Sequence, residues 1–295
     1  MLTDHGGRDD LRQLCTQLTA IAADWDDAGC NDPSWTATWT QQHGPLTESF
    51  NRLDELIRRV DPQTAADLLA DPQTRTALPR LRRLRSRYEG ETERKEAQRI
   101  LAAPSPRDAM VELLDADYSA TTIHSATFAG EVRTKRRCLV IGSGPLPVTA
   151  ALLLQNTSLA LTCLDRDASS CALGGEIIAA LGLGEIATEH GDALEIADFA
   201  RWDVIMLTAL ADDRDSPSAE AGHSRLISHL AERCPRGTLL GLRTPHGLGE
   251  LLYPVVDTAP LHEFAITFIT SPQAGRSSMI MAQKTRPRVR VQGTA

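Results

Sequence analysis

Between residues 138 and 283 the apolar positions fall into short runs that alternate with stretches of helical spacing. Cys138-Leu139-Val140-Ile141 ends at Gly142, a helical stretch runs from about Pro147 to Gln155, and Leu159 to Leu164 leads into Asp165. A helix at about 168–181, a short strand at Ile186–Glu189, a strand at Asp203–Leu207, a helix at about 219–233 and a strand at Thr238–Leu242 continue the pattern. Strands separated by helices of this length predict a parallel sheet with helices on both faces, because a parallel neighbour is reached only through a crossover. The last pair differs. Phe264–Thr270 and Ser278–Gln283 are joined by a loop containing Pro and Gly with no room for a crossover helix, so they predict an antiparallel hairpin.

Upstream of this α/β segment the spacing is helical. Leu11, Leu14, Leu18 and Ile21 recur at steps of three and four, as do Leu53, Leu56 and Ile57, and each set draws one buried stripe. Asp61-Pro62-Gln63-Thr64 and Asp71-Pro72-Gln73-Thr74 read as two helix starts. In each, Asp caps the first free N–H groups and Pro takes the first helical position, where its missing donor costs nothing. The expected organisation is an all-helical domain over 1–133, a sheet domain over 134–284 and a loose tail over 285–295.

Composition narrows the partners. The chain has 295 residues, 42% of them apolar, which suffices for a real core. Its 31 Lys and Arg against 39 Asp and Glu leave a net charge of −8, so no broad cationic field exists to hold a nucleic acid. The local basic stretches, Arg80–Arg87 and Arg286–Arg290, read as a solvated helix face and a disordered end. The six cysteines, Cys15, Cys30, Cys138, Cys163, Cys171 and Cys234, form no CxxC pair, which argues against a structural metal. Asp4, Asp9, Asp10 and Asp24 interrupt the first 25 residues, against a secretory signal, and no run approaches the length of a membrane span. A cytoplasmic protein with free thiols and a small-molecule partner is expected, with no membrane partner and with a homodimer left open.

Candidate chemistry lies where strands end. Gly142-Ser143-Gly144-Pro145-Leu146-Pro147 joins a strand to a helix, a place where backbone N–H groups can meet a ligand or where the turn is purely structural. Pro147 stands where the dinucleotide fingerprint has its third Gly, and it alters the close helix-to-strand packing that Gly permits. This argues against ordinary NAD binding. Asp165, followed by Arg166, ends the second strand, where a carboxylate can accept both ribose hydroxyls of an adenosine; Asp167 is the neighbouring competitor. Asp192, followed by Ala193, has two readings, the adenine amino group or the cap of the next turn. Thr208-Ala209-Leu210 follows the fourth strand, at the carboxyl edge where ligands of open α/β sheets lie.

Several segments are more specific. VIGSGPLPVTA, LDRDASSCA, WDVIMLTAL, ISHLAERCPRGTLLGLRTPHGLGELLYPVVD and SSMIMAQK together resemble nicotianamine synthases and their bacterial metallophore-forming relatives. A parallel sheet closed by one antiparallel strand also resembles the Rossmann-like domain of class I methyltransferases, which bind S-adenosylmethionine (SAM). The resemblance implies SAM as co-substrate and a helical half that places the acceptor. It further implies transfer of SAM's 3-amino-3-carboxypropyl group with release of 5′-methylthioadenosine. It also implies site residues. Glu89 and Glu93 match an E-G-x-x-E pattern, four apart on one helix face, and either is a candidate catalytic carboxylate. The competing reading makes both part of an exposed salt-bridged face with Arg85, Arg87, Arg94 and Lys95. Tyr118 lies where the family is tyrosine-rich and His124 near a second family tyrosine, although the surrounding residues diverge. Arg243 and His246 match the family's R-x-x-H-G pattern, and Arg243 suits a carboxylate through its planar fork. Tyr253 reads as packing. The acceptor stays open among an amine, a phenolic oxygen and SAM itself, whose cyclisation gives azetidine-2-carboxylate. The resemblance implies a setting in metallophore or natural-product biosynthesis. The rival readings are an ordinary small-molecule methyltransferase and a non-catalytic SAM-binding regulator.

Overall fold

A computed structural model of the chain describes residues 12, 13, 15–17, 19, 20, 35–208, 219–270 and 277–285. The expected stripe Leu11, Leu14, Leu18 and Ile21, the site candidates Ala209 and Leu210, and the tail beyond Thr285 lie outside the described residues.

Two compact units emerge, and the division falls inside a long helix, after Glu89. The first unit holds α1 (Trp35–Arg59), α2 (Pro62–Ala70) and the opening turns of α3 (Pro72–Ala102), together with Pro245–Val255. Both expected helix starts are present. Asp61 accepts from the N–H groups of Gln63 and Thr64 at 3.0 Å, and Asp71 from those of Gln73 and Thr74 at 3.0 and 3.1 Å. Leu46, Phe50, Leu53, Leu68 and Leu81 are buried here with Leu248, Leu251 and Leu252 of a short 3-10 segment, Gly247–Leu251.

The second unit contains Gly90–Thr244 and the closing strands. It therefore includes the remaining turns of α3 with α4 (Pro106–Asp117) and α5 (Ser119–Glu131), which precede residue 134. Ala97, Ile100, Met110 and Leu113 share one buried cluster with Leu146, Val148, Leu152 and Ile177, so these helices find cover for their apolar stripes on the sheet domain.

The sheet has seven strands: β1 (Arg137–Ile141), β2 (Ala160–Asp165), β3 (Ile186–His190), β4 (Val204–Leu207), β5 (Leu239–Pro245), β6 (Phe264–Ile269) and β7 (Ser277–Lys284). Their spatial order is β3-β2-β1-β4-β5-β7-β6. The first five run parallel and β6 pairs antiparallel with β7, as the spacing of the last pair predicts. Helices α6 (Val148–Asn156), α7 (Ala168–Ala180) and α8 (Ala219–Arg233) supply crossovers. Alternate residues of one strand enter opposite layers: Leu139, Ile205 and Leu240 meet α8, whereas Cys138, Val204 and Leu239 lie with Phe128, Leu153 and Ile178. Among the described residues no helix is long and apolar enough to cross a membrane.

Strand order reverses between β1 and β4, which opens a crevice at their carboxyl ends. Register places the ends in line: Ile141 lies opposite Leu164 and Leu207, and Leu207 opposite Leu242. The next residue of each strand therefore forms a row, Asp165, Gly142, Thr208 and Arg243, spaced by the distance between strands, about 4.8 Å.

Candidate functional site

Gly142 and Gly144 adopt φ of 73° and 66°, the left-handed region that a Cβ disfavours, and so turn the chain sharply out of β1. Asp165 fixes the turn from the next strand. One of its oxygens accepts from the N–H of Gly144 at 2.8 Å and the other from the N–H of Asp167 at 2.9 Å. Each carboxylate oxygen retains a second acceptor site. On the other side, the Thr208 hydroxyl lies 3.0 Å from the carbonyl oxygen of Ile141 and 2.9 Å from that of Gly142. Pro147 is expected to sacrifice close packing, but the close approach occurs elsewhere: a Cβ on Gly174 of α7 would stand 3.1 Å from the Gly144 carbonyl oxygen. Its signal in the sequence is the Gly174-Gly175 pair inside a helix, unfavourable there unless something must come close.

The other adenosine candidates have defined local partners. Asp192 caps the short turn Ala193–Glu195, one oxygen accepting from the Leu194 N–H at 2.8 Å, which realises the capping reading and leaves its second oxygen outside that bond. Asp167 is the cap of α7, bonded to the Ser169 N–H, to the hydroxyls of Ser169 and Ser170, and to Arg94 at 3.3 Å. The Arg166 carbonyl oxygen lies 3.1 Å from Nε2 of His190.

Glu93 reaches the turn from α3. Its Oε2 lies 2.8 Å from the point a Cβ on Gly144 would occupy. Gly144 is thus flanked by two carboxylates, Asp165 at its N–H and Glu93 at its Cα. Arg94, the residue after Glu93, pairs with Glu91 and Asp167. Two carboxylates close together favour a cation.

Tyr118 ends α4 half-buried and packs against the cluster of Ala97, Ile100 and Leu146. His124 of α5 is 1% exposed, and its Nε2 has no hydrogen-bond partner among the described residues. Burial first, and then the Arg243 guanidinium, push its pKa down to about 4, so the imidazole is neutral near pH 7.

Glu89 has different surroundings, all within the first unit. Its carboxylate accepts from Arg85 Nε at 2.9 Å and from the Tyr253 hydroxyl. Arg85 also donates to the Tyr253 oxygen at 3.1 Å, pairs with Asp54 at 3.8 Å, and lies over the rings of Phe50, Tyr88 and Tyr253. Burial works against its charge, but Tyr253, Glu89 and Asp54 hold its pKa above the ordinary value. Burial, reinforced by Glu89, raises the Tyr253 phenol, which stays protonated and donates. Two expectations are corrected here. The stretch Arg80–Arg87 is not a solvated face throughout, because Arg82 is buried on the Glu250 carbonyl oxygen at 3.0 Å and Arg85 is enclosed by rings. Tyr253 is more than packing, since it anchors Glu89. In the same unit His246 precedes the segment Gly247–Leu251, with a buried Nε2 that has no hydrogen-bond partner among the described residues. Arg85→Met is expected to destabilise the chain by about 3 kcal/mol, because it strands carboxylates that have lost their cation; denaturant unfolding checks this.

Comparison with known proteins gives one answer. The family model described as nicotianamine synthase protein matches residues 47–289. A nicotianamine synthase of Solanum lycopersicum is 30% identical over 158 residues, 50% of this chain and 47% of that protein. The match therefore spans about half the length of the tomato protein. A nicotianamine synthase-like 5 protein of Hordeum vulgare is 25% identical over 246 residues, covering 79% of this chain and 85% of that one. Among solved structures, a Glu→Gln mutant of MtNAS aligns over 95% of this chain and 98% of its own with a TM-score of 0.75 and 18% identity. MtNAS in complex with MTA and tNA aligns with a TM-score of 0.74 over 94% of this chain and 98% of its own, also at 18% identity. This likeness shows a shared fold.

Proposed function

The chain belongs to the nicotianamine synthase family, and from that premise we propose that it is a SAM-dependent transferase. In this reading it moves the 3-amino-3-carboxypropyl group of SAM to a small-molecule acceptor and releases 5′-methylthioadenosine (MTA). The family's members are SAM-dependent aminocarboxypropyl transferases, and crystals of MtNAS with S-adenosylmethionine, and with MTA and tNA, support the same chemistry. The observation that carries the reading is the pair of carboxylates flanking Gly144, which suits a cationic ligand next to an adenosine-type loop.

When bound, SAM supplies a sulfonium that activates each of its three attached carbons, and the geometry selects which one meets the nucleophile. Asp165 holds the ribose hydroxyls through its remaining acceptor sites, the second oxygen of Asp192 takes the adenine amino group, and Gly142–Pro145 offers backbone close to the ligand. Thr208 walls the crevice at the end of β4. Glu93, seated on the turn, takes the proton that an amine or phenol gives up as its lone pair forms the new bond to carbon. The carbon–sulfur electron pair leaves with the nucleoside. Glu89 is an anchor, held by Arg85 and Tyr253. The acceptor is an amine or phenolic oxygen of a metallophore or natural-product precursor.

Two labelled forms of SAM test the reaction. Label in the carboxyl carbon is expected in the non-nucleoside product, or in azetidine-2-carboxylate if SAM is its own acceptor, whereas label in the methyl group stays with the nucleoside. Methyl label in the acceptor would establish an ordinary methyltransferase instead.

A further inference from the structure

Contacts in the second unit close into a ring that begins and ends on adjacent residues of α3. Glu93 sits against Gly144, whose N–H donates to one oxygen of Asp165 at 2.8 Å. The other oxygen of Asp165 accepts from the Asp167 N–H at 2.9 Å, and the Asp167 carboxylate accepts from Arg94 at 3.3 Å. Successive helix residues point about 100° apart, so Glu93 and Arg94 reach two different loops, the one after β1 and the one after β2. The scheme above uses Glu93 and Asp165 and gives Arg94 no part.

One oxygen of Asp167 accepts from the Ser169 N–H at 2.9 Å and its hydroxyl at 2.8 Å, and the other from the Ser170 hydroxyl at 3.0 Å and from Arg94. The serine bonds stay within the turn and the start of α7; of these partners Arg94 alone comes from another element. Glu91, one turn earlier on α3, steadies the guanidinium. Burial works against the charge of Asp167, but Ser169, Ser170 and Arg94 hold its carboxyl below the ordinary range, so the pair is ionised near pH 7. The two N–H groups that Asp165 accepts set the plane of its carboxylate, and one of them belongs to Asp167. A shift of the Asp167 backbone therefore turns the acceptor directions that Asp165 offers to a ligand.

We infer that Arg94 is a positioning residue for adenosine binding: by gripping Asp167 it fixes the turn between β2 and α7 against α3, and so aims the Asp165 carboxylate at the ribose. The inference rests on the SAM-binding reading of the second unit. Arg94 acts through Asp167 and Asp165, while Glu93 keeps its own seat on Gly144. The side chains of the pair are 28% and 36% exposed, which makes its effect modest and open to screening by salt.

Calorimetry of the full chain with MTA tests this, because MTA carries the adenosine and no net charge of its own. Arg94→Met is expected to weaken MTA about three- to fivefold, and Arg94→Lys, which keeps a cation within reach of Asp167, to restore part of the loss. Asp167→Asn keeps the helix cap, since Asn caps as well as Asp, but removes the charge that Arg94 pairs with. It is expected to match Arg94→Met, and the double variant to lose no more than either change alone. Added sodium chloride should shrink the difference between wild type and Arg94→Met. A purely structural role would lower the melting temperature of these variants and leave their MTA affinity alone. Unchanged MTA affinity in both single variants overturns the inference, as do losses that add in the double variant. Failure of the wild-type chain to bind MTA would instead bring down the SAM-binding reading itself, and the role of Arg94 with it.

Discussion

Replacing Glu93 by Gln is expected to lower turnover by about 10²- to 10⁴-fold, the usual worth of a positioned proton acceptor, while MTA binds as before. The amide fills the same volume against Gly144 but cannot take a proton, and MTA, which is neutral, does not depend on the lost charge. SAM binding should weaken, because the site loses a negative charge that favours a cationic ligand. Glu89→Gln provides the contrast. Its partners are Arg85 and Tyr253, so the expected loss is in stability, with turnover largely kept. Single-turnover kinetics of the two variants decide the assignment. Normal activity in Glu93→Gln would remove that residue from the chemistry.

Asp165→Ala should weaken both SAM and MTA by an order of magnitude or more, corresponding to about 1.5–3 kcal/mol of charge-assisted hydrogen bonds. The side chain does two things at once. It ties down the N–H groups of Gly144 and Asp167, and it retains acceptor sites for the ribose. Both ligands share the adenosine, so both should weaken, SAM the more because it alone is cationic. Calorimetry showing unchanged affinity would refute the role, and a loss confined to SAM would place Asp165 at the sulfonium end.

The sheet and its row of loops were legible in the sequence because both follow from local signals. Continuous apolar runs ending in Gly142, Asp165 and Thr208 locate strand ends, and parallel register then aligns those ends. The antiparallel closure was legible from a connection too short for a helix. The anchoring of Glu89 was not legible, because Arg85 meets Tyr253 across 168 residues and nothing in the Arg-rich helix distinguishes Arg85 or Arg82 from its solvated neighbours. Spacing also makes Glu89 and Glu93 equivalent, four apart on one helix. The difference lies in what faces them, a guanidinium and a phenol for Glu89 and a glycine turn for Glu93. The role of Gly174 was readable only as a helix-weakening glycine pair without a stated reason.

The central claim is that the chain delivers SAM's four-carbon arm and not its methyl group. Identifying the adenosyl product formed on incubation with SAM tests this most directly. The account predicts 5′-methylthioadenosine, formed by the wild-type chain and nearly lost in Glu93→Gln; S-adenosylhomocysteine as the sole adenosyl product would contradict it.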